Sequence, residues 1–490
     1  MTIDIAHLKQ RIDHLIAAVE RDGEDRVWAG RIERPGFEAS AANLAHYLAL
    51  RRHDLRPLQR SLMALGLSSL GRLESRVLPT LQAVSATLAA LCGDTHAKRP
   101  SSKRFFAGEH DLSQRSLELF GASPERRSTA LLVTCPTEAA DDPVLMQRLA
   151  ERGVEAVRIN CAHDDAEHWQ RMIVNVRAAE QDAGRRIKVL MDIAGPKIRT
   201  GKVFAPNGRD RIGTGDLLAI VPEGGLDRID HPEEYFAVEC TLPEPLTLTP
   251  VGARVFVDDG KLCVRIEKVA PWGLLGRVTA AADKGVRLKS EKGLNFPDTP
   301  MEIEALTAKD RCDLDFIAAH ADGVEFSFVQ SVADVEMLQA ALAERRPDDW
   351  RTLSLILKIE TPKAVANLPE IVVQAAGQQP TAIMIARGDL AVEIGFARLA
   401  EMQEEILWIG EAAHIPVIWA TQVLEHLVKK GTPSRGEMTD AAMAARAECV
   451  MLNKGPYLFK AITELDTLLE RMAANQHKKT PQLRRLMSWD

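Results

Sequence analysis

No run of apolar residues in this chain approaches the ~18 needed to span a bilayer, which argues against a helical membrane protein. The start, MTIDIAHLKQRIDH, lacks a basic segment followed by an apolar core, so no secretory signal is read there. Cysteine is sparse: seven residues, at 92, 135, 161, 240, 263, 312 and 449, with no C-x-x-C pair. An odd, scattered set argues against a disulfide framework or a structural zinc site, and the expectation is a reduced, cytoplasmic protein. Charge of one sign does not dominate, with 62 Lys+Arg against 69 Asp+Glu and a net of -7. Basic residues are not clustered as a nucleic-acid footprint requires, so no nucleic acid binding is expected, and no membrane partner. The apolar share of 46% and charged share of 27% exclude a collagen, a coiled-coil rod and a mostly disordered chain.

At 490 residues the chain is about three times the usual single-domain length. Residues 1–95 read as helices: Ile5, Leu8, Ile12, Leu15, Ile16 and Val19 recur at helical spacing, as do Leu73, Val77, Leu81, Val84, Leu88 and Leu91. These stripes read first as helix core, with docking or oligomerisation as a second use. Residues 96–128, polar and basic around KRPSSKR, read as a solvated linker. Up to Arg127 there are 19 basic and 15 acidic residues, and beyond it 43 and 54, so a mildly basic front precedes an acidic remainder.

From Thr129 short β-branched runs alternate with helix-length amphipathic segments. The runs are ALLVT (130–134), AVRIN (156–160), KVLMDI (188–193), GVEFSF (323–328), SLILKIE (354–360), AIMIAR (382–387), IPVIWA (415–420) and CVML (449–452). Eight such strands predict an α/β fold, a (β/α)8 TIM barrel over 129–201 and 291–475. Residues 202–290 break the alternation with the turn signals PNG, EGG, DDG and PWG, and predict an inserted small β-barrel lid domain. Residues 476–490 form a basic tail with Lys478, Lys479, Arg484 and Arg485.

In such a barrel the strand C-termini build the site. Arg158 and Asn160 end the second strand, Asp192 the third, Ser327 the fourth, Lys358 and Glu360 the fifth. Arg387 and Asp389 follow the sixth, Thr421 and Gln422 the seventh. Residues i and i+2 share a strand face, so Lys358 and Glu360 point together into the mouth, as do Arg158 and Asn160. Carboxylates without nearby His or Cys suit a hard ion, Mg²⁺ or Mn²⁺, and the surrounding cations suit phosphoryl transfer. There is no G-x-x-x-x-G-K-[ST] loop, no kinase glycine loop and no Ser-His-Asp set. Taken alone, Glu360 and Asp389 would equally form ion pairs with Lys358 and Arg387. His414 and His426 lack partners at ligand spacing and read as structural.

The stretches VEAVRINCAHDDAEHW, VLMDIAGPKIRTG, VFVDDGK, LILKIE, AIMIARGDLAVEIG and VIWATQVLEHLVKKGTPSRGEMTDAA resemble the pyruvate kinase family in order and spacing, over about 70% of the chain. The resemblance implies an enzyme, a phosphotransferase moving the phosphoryl group of phosphoenolpyruvate to ADP. Lys358 would stabilise that group in flight, with Arg158 and Thr421 as the other catalytic residues. Arg158 would grip the phosphate, Ser327 would line the same site, and Gly388–Asp389 and Thr421 would hold the carboxylate and enolate end. Glu360 and Asp389 would hold Mg²⁺ or Mn²⁺. Asn160, His163, Arg199 and Lys292 would line the nucleotide side, although His163 could instead cap a helix. The inserted domain would be a water-excluding lid.

The departures from the family pattern carry their own expectations. The family's monovalent-cation ligands (Asn, Ser, Asp, Thr) read Asn160, Ala162, Asp192 and Ile193 here. Potassium-dependent members carry GPEIRTG where this chain has GPKIRTG. Lys197 would therefore be a fixed substitute for K⁺, with no K⁺ requirement; a solvated loop lysine is the lesser alternative. The loop after strand eight reads LNKGPYLFKA instead of LSGETAKG, and the first-strand signature is TCPTEA instead of TIGPAS. The family's C-terminal regulatory domain is missing, so effector control through it is not expected; a homo-oligomer is left open. Two other functions compete: a Mg²⁺-dependent barrel enzyme acting on pyruvate enolate as a lyase or decarboxylase, and a non-catalytic binding or regulatory descendant. Retention of Lys358, Glu360 and Asp389 favours the kinase reading.

Overall fold

A computed structural model of the chain describes residues 3–24, 28–94, 96–206, 208–301 and 303–482. Eight short strands, buried on both faces, need helices outside and side chains inside, and a closed barrel supplies both. They are β1 (Ala130–Thr134), β2 (Ala156–Asn160), β3 (Lys188–Asp192), β4 (Gly323–Phe326), β5 (Ser354–Ile359), β6 (Thr381–Ala386), β7 (Val417–Ala420) and β8 (Cys449–Leu452). All pair in parallel in the order β1-β8-β7-β6-β5-β4-β3-β2, closing on β1. The amphipathic segments form the expected helices, among them Ala166–Ala183, Ala308–His320, Val332–Arg345 and Phe396–Ala412. Several start at capping boxes, such as Thr307 with Asp310 and Ser331 with Asp334.

The register of the barrel places the polar residues in rows. Asn160 pairs with Asp192, Asp192 with Glu325, and Thr134 with Arg158. Among and below these rows, Leu132, Ala156, Leu190, Ile356, Met384 and Met451 belong to one buried apolar cluster, and Met384 and Met451 reach the mouth. Leu119 and Phe120 belong to the same apolar cluster and plug the barrel from below.

Those two plug residues correct the reading of 96–128 as a solvated linker. Ser102–Phe105 and Ala107–Phe120 are helices, the first capped by the Ser101 hydroxyl, which accepts from the Arg104 N–H. The second buries Leu112, Arg115, Leu119 and Phe120. Its apolar face is interrupted by a buried arginine, which obscures the pattern; Arg115 donates to the carbonyls of Ala413, His414 and Gly36. Further helices at Ile5–Glu24, Glu38–Leu50, Arg56–Ala64 and Val77–Leu91 share one apolar core with the barrel helices. Polar contacts fasten them: Ser40 Oγ lies 2.9 Å from His414 Nδ1, and Asn43 Nδ2 donates to Ala412 O at 2.8 Å.

The insertion is a seven-stranded sheet running from Thr200–Phe204 to Leu294–Asn295, slightly beyond 202–290 at each end. Its edges meet at one bridge, Arg199 to Gly293. It has its own core of Leu218, Ile220, Phe236, Val238, Val264 and Leu274, separate from that of the barrel. The Asn295 amide donates to Glu393 Oε1 at 2.9 Å, tying the root of this sheet to the helix Arg387–Ile394. In the tail, Lys478 pairs with Glu448 and Lys479 with Glu74, while Arg484 and Arg485 lie outside the described residues. Among the described residues no helix is long and apolar enough to cross a membrane.

Candidate active site

The C-terminal ends of the strands enclose a cavity of about 150 Å³. Twelve of the residues singled out in the sequence line it: Arg158, Asn160, Lys197, Arg199, Ser327, Lys358, Glu360, Asp389 and Thr421, together with Ala162, Asp192 and Ile193. Gly388 borders it through its N–H, which donates to Thr421 Oγ1 at 2.8 Å. His163 and Lys292 do not line it. His163 sits exposed in the turn after β2, and Asp165, not His163, caps the following helix. Lys292 stands at the root of the inserted sheet, its Nζ 3.8 Å from Asp258 Oδ1.

Strand alternation explains the central cluster. Arg158 on β2 is held by Asp192, by Glu325 Oε2 at 3.1 Å and by Thr134 Oγ1 at 3.2 Å. Lys358 at the end of β5 donates to Ser327 Oγ at 2.6 Å and to Asp192 Oδ1 at 3.1 Å, and lies 3.3 Å from Glu360 Oε1. Asp192 thus bridges a guanidinium and an ammonium. Burial opposes the charge of Lys358, but Asp192 and Glu360 outweigh it and hold the amine well above its ordinary range. Against its own burial, Arg158 and then Lys358 hold the Asp192 carboxyl below the usual carboxylate range.

A second group stands beside the first. Glu360 follows β5 and accepts from the Phe328 N–H at 2.6 Å. Its carboxyl is raised by burial, with Lys358 opposing and the charge of Asp389 adding to the rise. Asp389, in the first turn of Arg387–Ile394, accepts from Lys197 Nζ at 2.7 Å. Two neighbouring carboxylates that offer only oxygen donors fit a hard divalent cation. Gly195 brings the Lys197 loop against β4: its φ is +65°, and a Cβ there would meet Ser327 Cβ at 3.0 Å. Thr421, Gln422 and Leu424 all take positive φ, which places backbone strain in the loop that carries the Thr421 hydroxyl.

Two residues of this constellation escaped the sequence reading. Asp440 pairs with Arg387, whose Nη2 also donates to Thr421 O at 2.7 Å, fixing the loop from behind. Glu325 is fully buried beneath Arg158. The alternation that links Lys358 to Glu360 also links Glu325 to Ser327 and was the available signal. Asp440 lies 53 positions from Arg387 and left none.

A closed parallel barrel with paired cations and carboxylates at its C-terminal mouth has the architecture of a (β/α)8 barrel enzyme. Comparison with known proteins narrows the class. The family described as pyruvate kinase, barrel domain, matches residues 126–460. A pyruvate kinase of Agrobacterium vitis is 33% identical over 362 residues, 72% of this chain and 69% of that protein. Pyruvate kinase 2 of Trypanosoma brucei brucei is 30% identical over 356 residues, 71% and 67%. A pyruvate kinase of Methylorubrum extorquens is 32% identical over 345 residues, 68% and 66%. The chain belongs to the pyruvate kinase family and is a phosphotransferase enzyme.

Proposed function

We propose that the chain transfers the phosphoryl group of phosphoenolpyruvate to ADP, giving pyruvate and ATP, with Mg²⁺ or Mn²⁺ and without K⁺. The observation that carries this reading is the juxtaposition of Arg158, Lys358 and Ser327 with Glu360 and Asp389 in one cavity. An enolate reaction alone would not need two cations placed for a phosphate, which favours the kinase over a lyase or decarboxylase.

In this reading Arg158 grips the substrate phosphate, its plane fixed by Asp192, Glu325 and Thr134. Lys358, kept protonated by its carboxylate neighbours, stabilises the charge spread over the phosphoryl oxygens during transfer. The Gly388 N–H and Thr421 hydroxyl, now bonded to each other, turn to the carboxylate and enolate end of the substrate. Glu360 and Asp389 would hold the divalent ion, which would supply charge neutralisation to phosphoryl transfer. Asn160 and Arg199 face the nucleotide side, with His163 and Lys292 reached when the inserted sheet closes as a lid. Partial desolvation, with the charge of Lys454 adding and Asp164 opposing, lowers the His163 pKa.

Potassium independence rests on Lys197. Ala162 and Ile193 offer no side-chain oxygen to a monovalent ion, while the Lys197 ammonium supplies a fixed positive charge beside Asp389. ³¹P NMR of phosphoenolpyruvate, ADP and Mg²⁺ in tetramethylammonium buffer tests the proposal. ATP should accumulate at a rate unchanged by adding K⁺. Absence of ATP under both conditions overturns the kinase reading, and a large stimulation by K⁺ overturns the role of Lys197.

A further inference from the structure

The barrel interior holds a carboxylate that the proposed chemistry does not use. Glu325 projects inward from β4 one pleat below Ser327 and has no exposed surface. Its Oε2 accepts from Arg158 Nε at 3.1 Å, a donor it shares with Asp192 Oδ2, also at 3.1 Å. Its Oε1 has no hydrogen-bond partner among the described residues. Two carboxylates therefore compete for one guanidinium edge, and Asp192 is the better placed, because Lys358 also serves it. A buried acceptor left unpaired is costly unless it carries a proton.

We infer that Glu325 is a positioning residue for Arg158, and that its ionisation weakens the grip of Arg158 on a substrate phosphate. The inference rests on the reading that Arg158 binds the phosphate of phosphoenolpyruvate. Charge within the cluster explains the direction. With Glu325 neutral, the four cations of the cavity, Arg158, Lys197, Arg199 and Lys358, exceed Asp192, Glu360 and Asp389 by one charge. Ionisation of Glu325 cancels that excess where an anion must enter. The groups facing Glu325 are Arg158 from β2, Asp192 from β3, Lys358 from β5 and the thiol of Cys449 from β8, which burial keeps neutral. Burial, reinforced by Asp192, pushes the Glu325 carboxyl up to about 7, so this change falls in the neutral range.

Calorimetric titration of phosphoenolpyruvate, with Mg²⁺, from about pH 6.5 to 8.5 tests this on the wild type and on Glu325→Gln. The Kd of the wild type should rise roughly tenfold across this window. The substrate's own phosphate gains charge with pH, its second pKa lying near ~6, and so works in the opposite direction. Glu325→Gln should keep the low-pH affinity throughout, while a merely structural role would weaken binding equally at every pH. Coincident pH profiles for the two proteins, or a wild-type Kd that does not rise, overturn the inference. Should Glu325→Gln fail to fold, the wild type decides: its KM for phosphoenolpyruvate must rise with pH while its KM for ADP stays constant. A wild type that binds no phosphoenolpyruvate at any pH overturns the substrate reading itself, and the role of Glu325 with it. Binding with a flat profile removes only the latter.

Discussion

Replacing Lys197 by methionine removes the ammonium beside Asp389 and keeps most of the side-chain volume. The Nζ–Oδ1 separation is 2.7 Å, and the two side chains are 23% and 17% exposed. At an effective dielectric of ~20 that spacing corresponds to a gross attraction of about 6 kcal/mol. Desolvation and screening leave about 2–3 kcal/mol, or on the order of 10²-fold in rate at 1.4 kcal/mol per decade. Steady-state turnover of phosphoenolpyruvate and ADP should therefore fall about 10²-fold in Lys197→Met, with circular dichroism confirming the fold. Potassium should not restore it, because Ala162 and Ile193 supply no ligand oxygens. Adding back those oxygens together with the acid, as Lys197→Glu, Ala162→Ser and Ile193→Thr, should produce an enzyme that requires K⁺. Rescue of Lys197→Met by K⁺, or full activity without the ammonium, would refute the reasoning.

Two predictions concern stability. Burial pushes the Glu411 carboxyl up to about 7 from 4.5, so its favourable neutral form is lost as pH rises through that interval. Glu411→Gln should stabilise the fold by about 1–3 kcal/mol near pH ~8 and give little gain below about 4.5; an equal Tm shift at both pH values would contradict this. Arg127 and Glu155 form a pair with no exposed side-chain surface, and Arg127 also donates to Thr129 O, Gly153 O and Asp466. Arg127→Met should cost about 3–5 kcal/mol in chemical denaturation, because it strands a buried carboxylate; a loss under ~1 kcal/mol would argue against that role.

The barrel was legible because strands buried on both faces are written as short β-branched runs, and because the residues after them fall at strand ends. The same alternation placed Arg158 with Asn160 and Lys358 with Glu360. It applied equally to Glu325, but a carboxylate inside an apolar strand gives no sign of the guanidinium that faces it from another strand. The helix Ala107–Phe120 was hidden for a related reason: Arg115 occupies a buried position that a periodicity reading scores as polar. Leu119 and Phe120 then look like the end of a connector, whereas they close the barrel floor. His163 stands apart from the cavity because the turn after β2 leaves it exposed, and Lys292 because it sits at the root of the inserted sheet, over the mouth. That placement is set by contacts such as Asn295 with Glu393, which no local pattern encodes.

The central claim is that Lys358 stabilises a phosphoryl group passing from phosphoenolpyruvate to ADP. Pyruvate formation coupled to lactate dehydrogenase, with Mg²⁺ and both substrates, tests it on the wild type and on Lys358→Met. The account predicts sustained turnover by the wild type and a loss of at least about 10³-fold in the variant, mostly in kcat, with the fold retained. Turnover in Lys358→Met close to that of the wild type, or none by a correctly folded wild type, would contradict it.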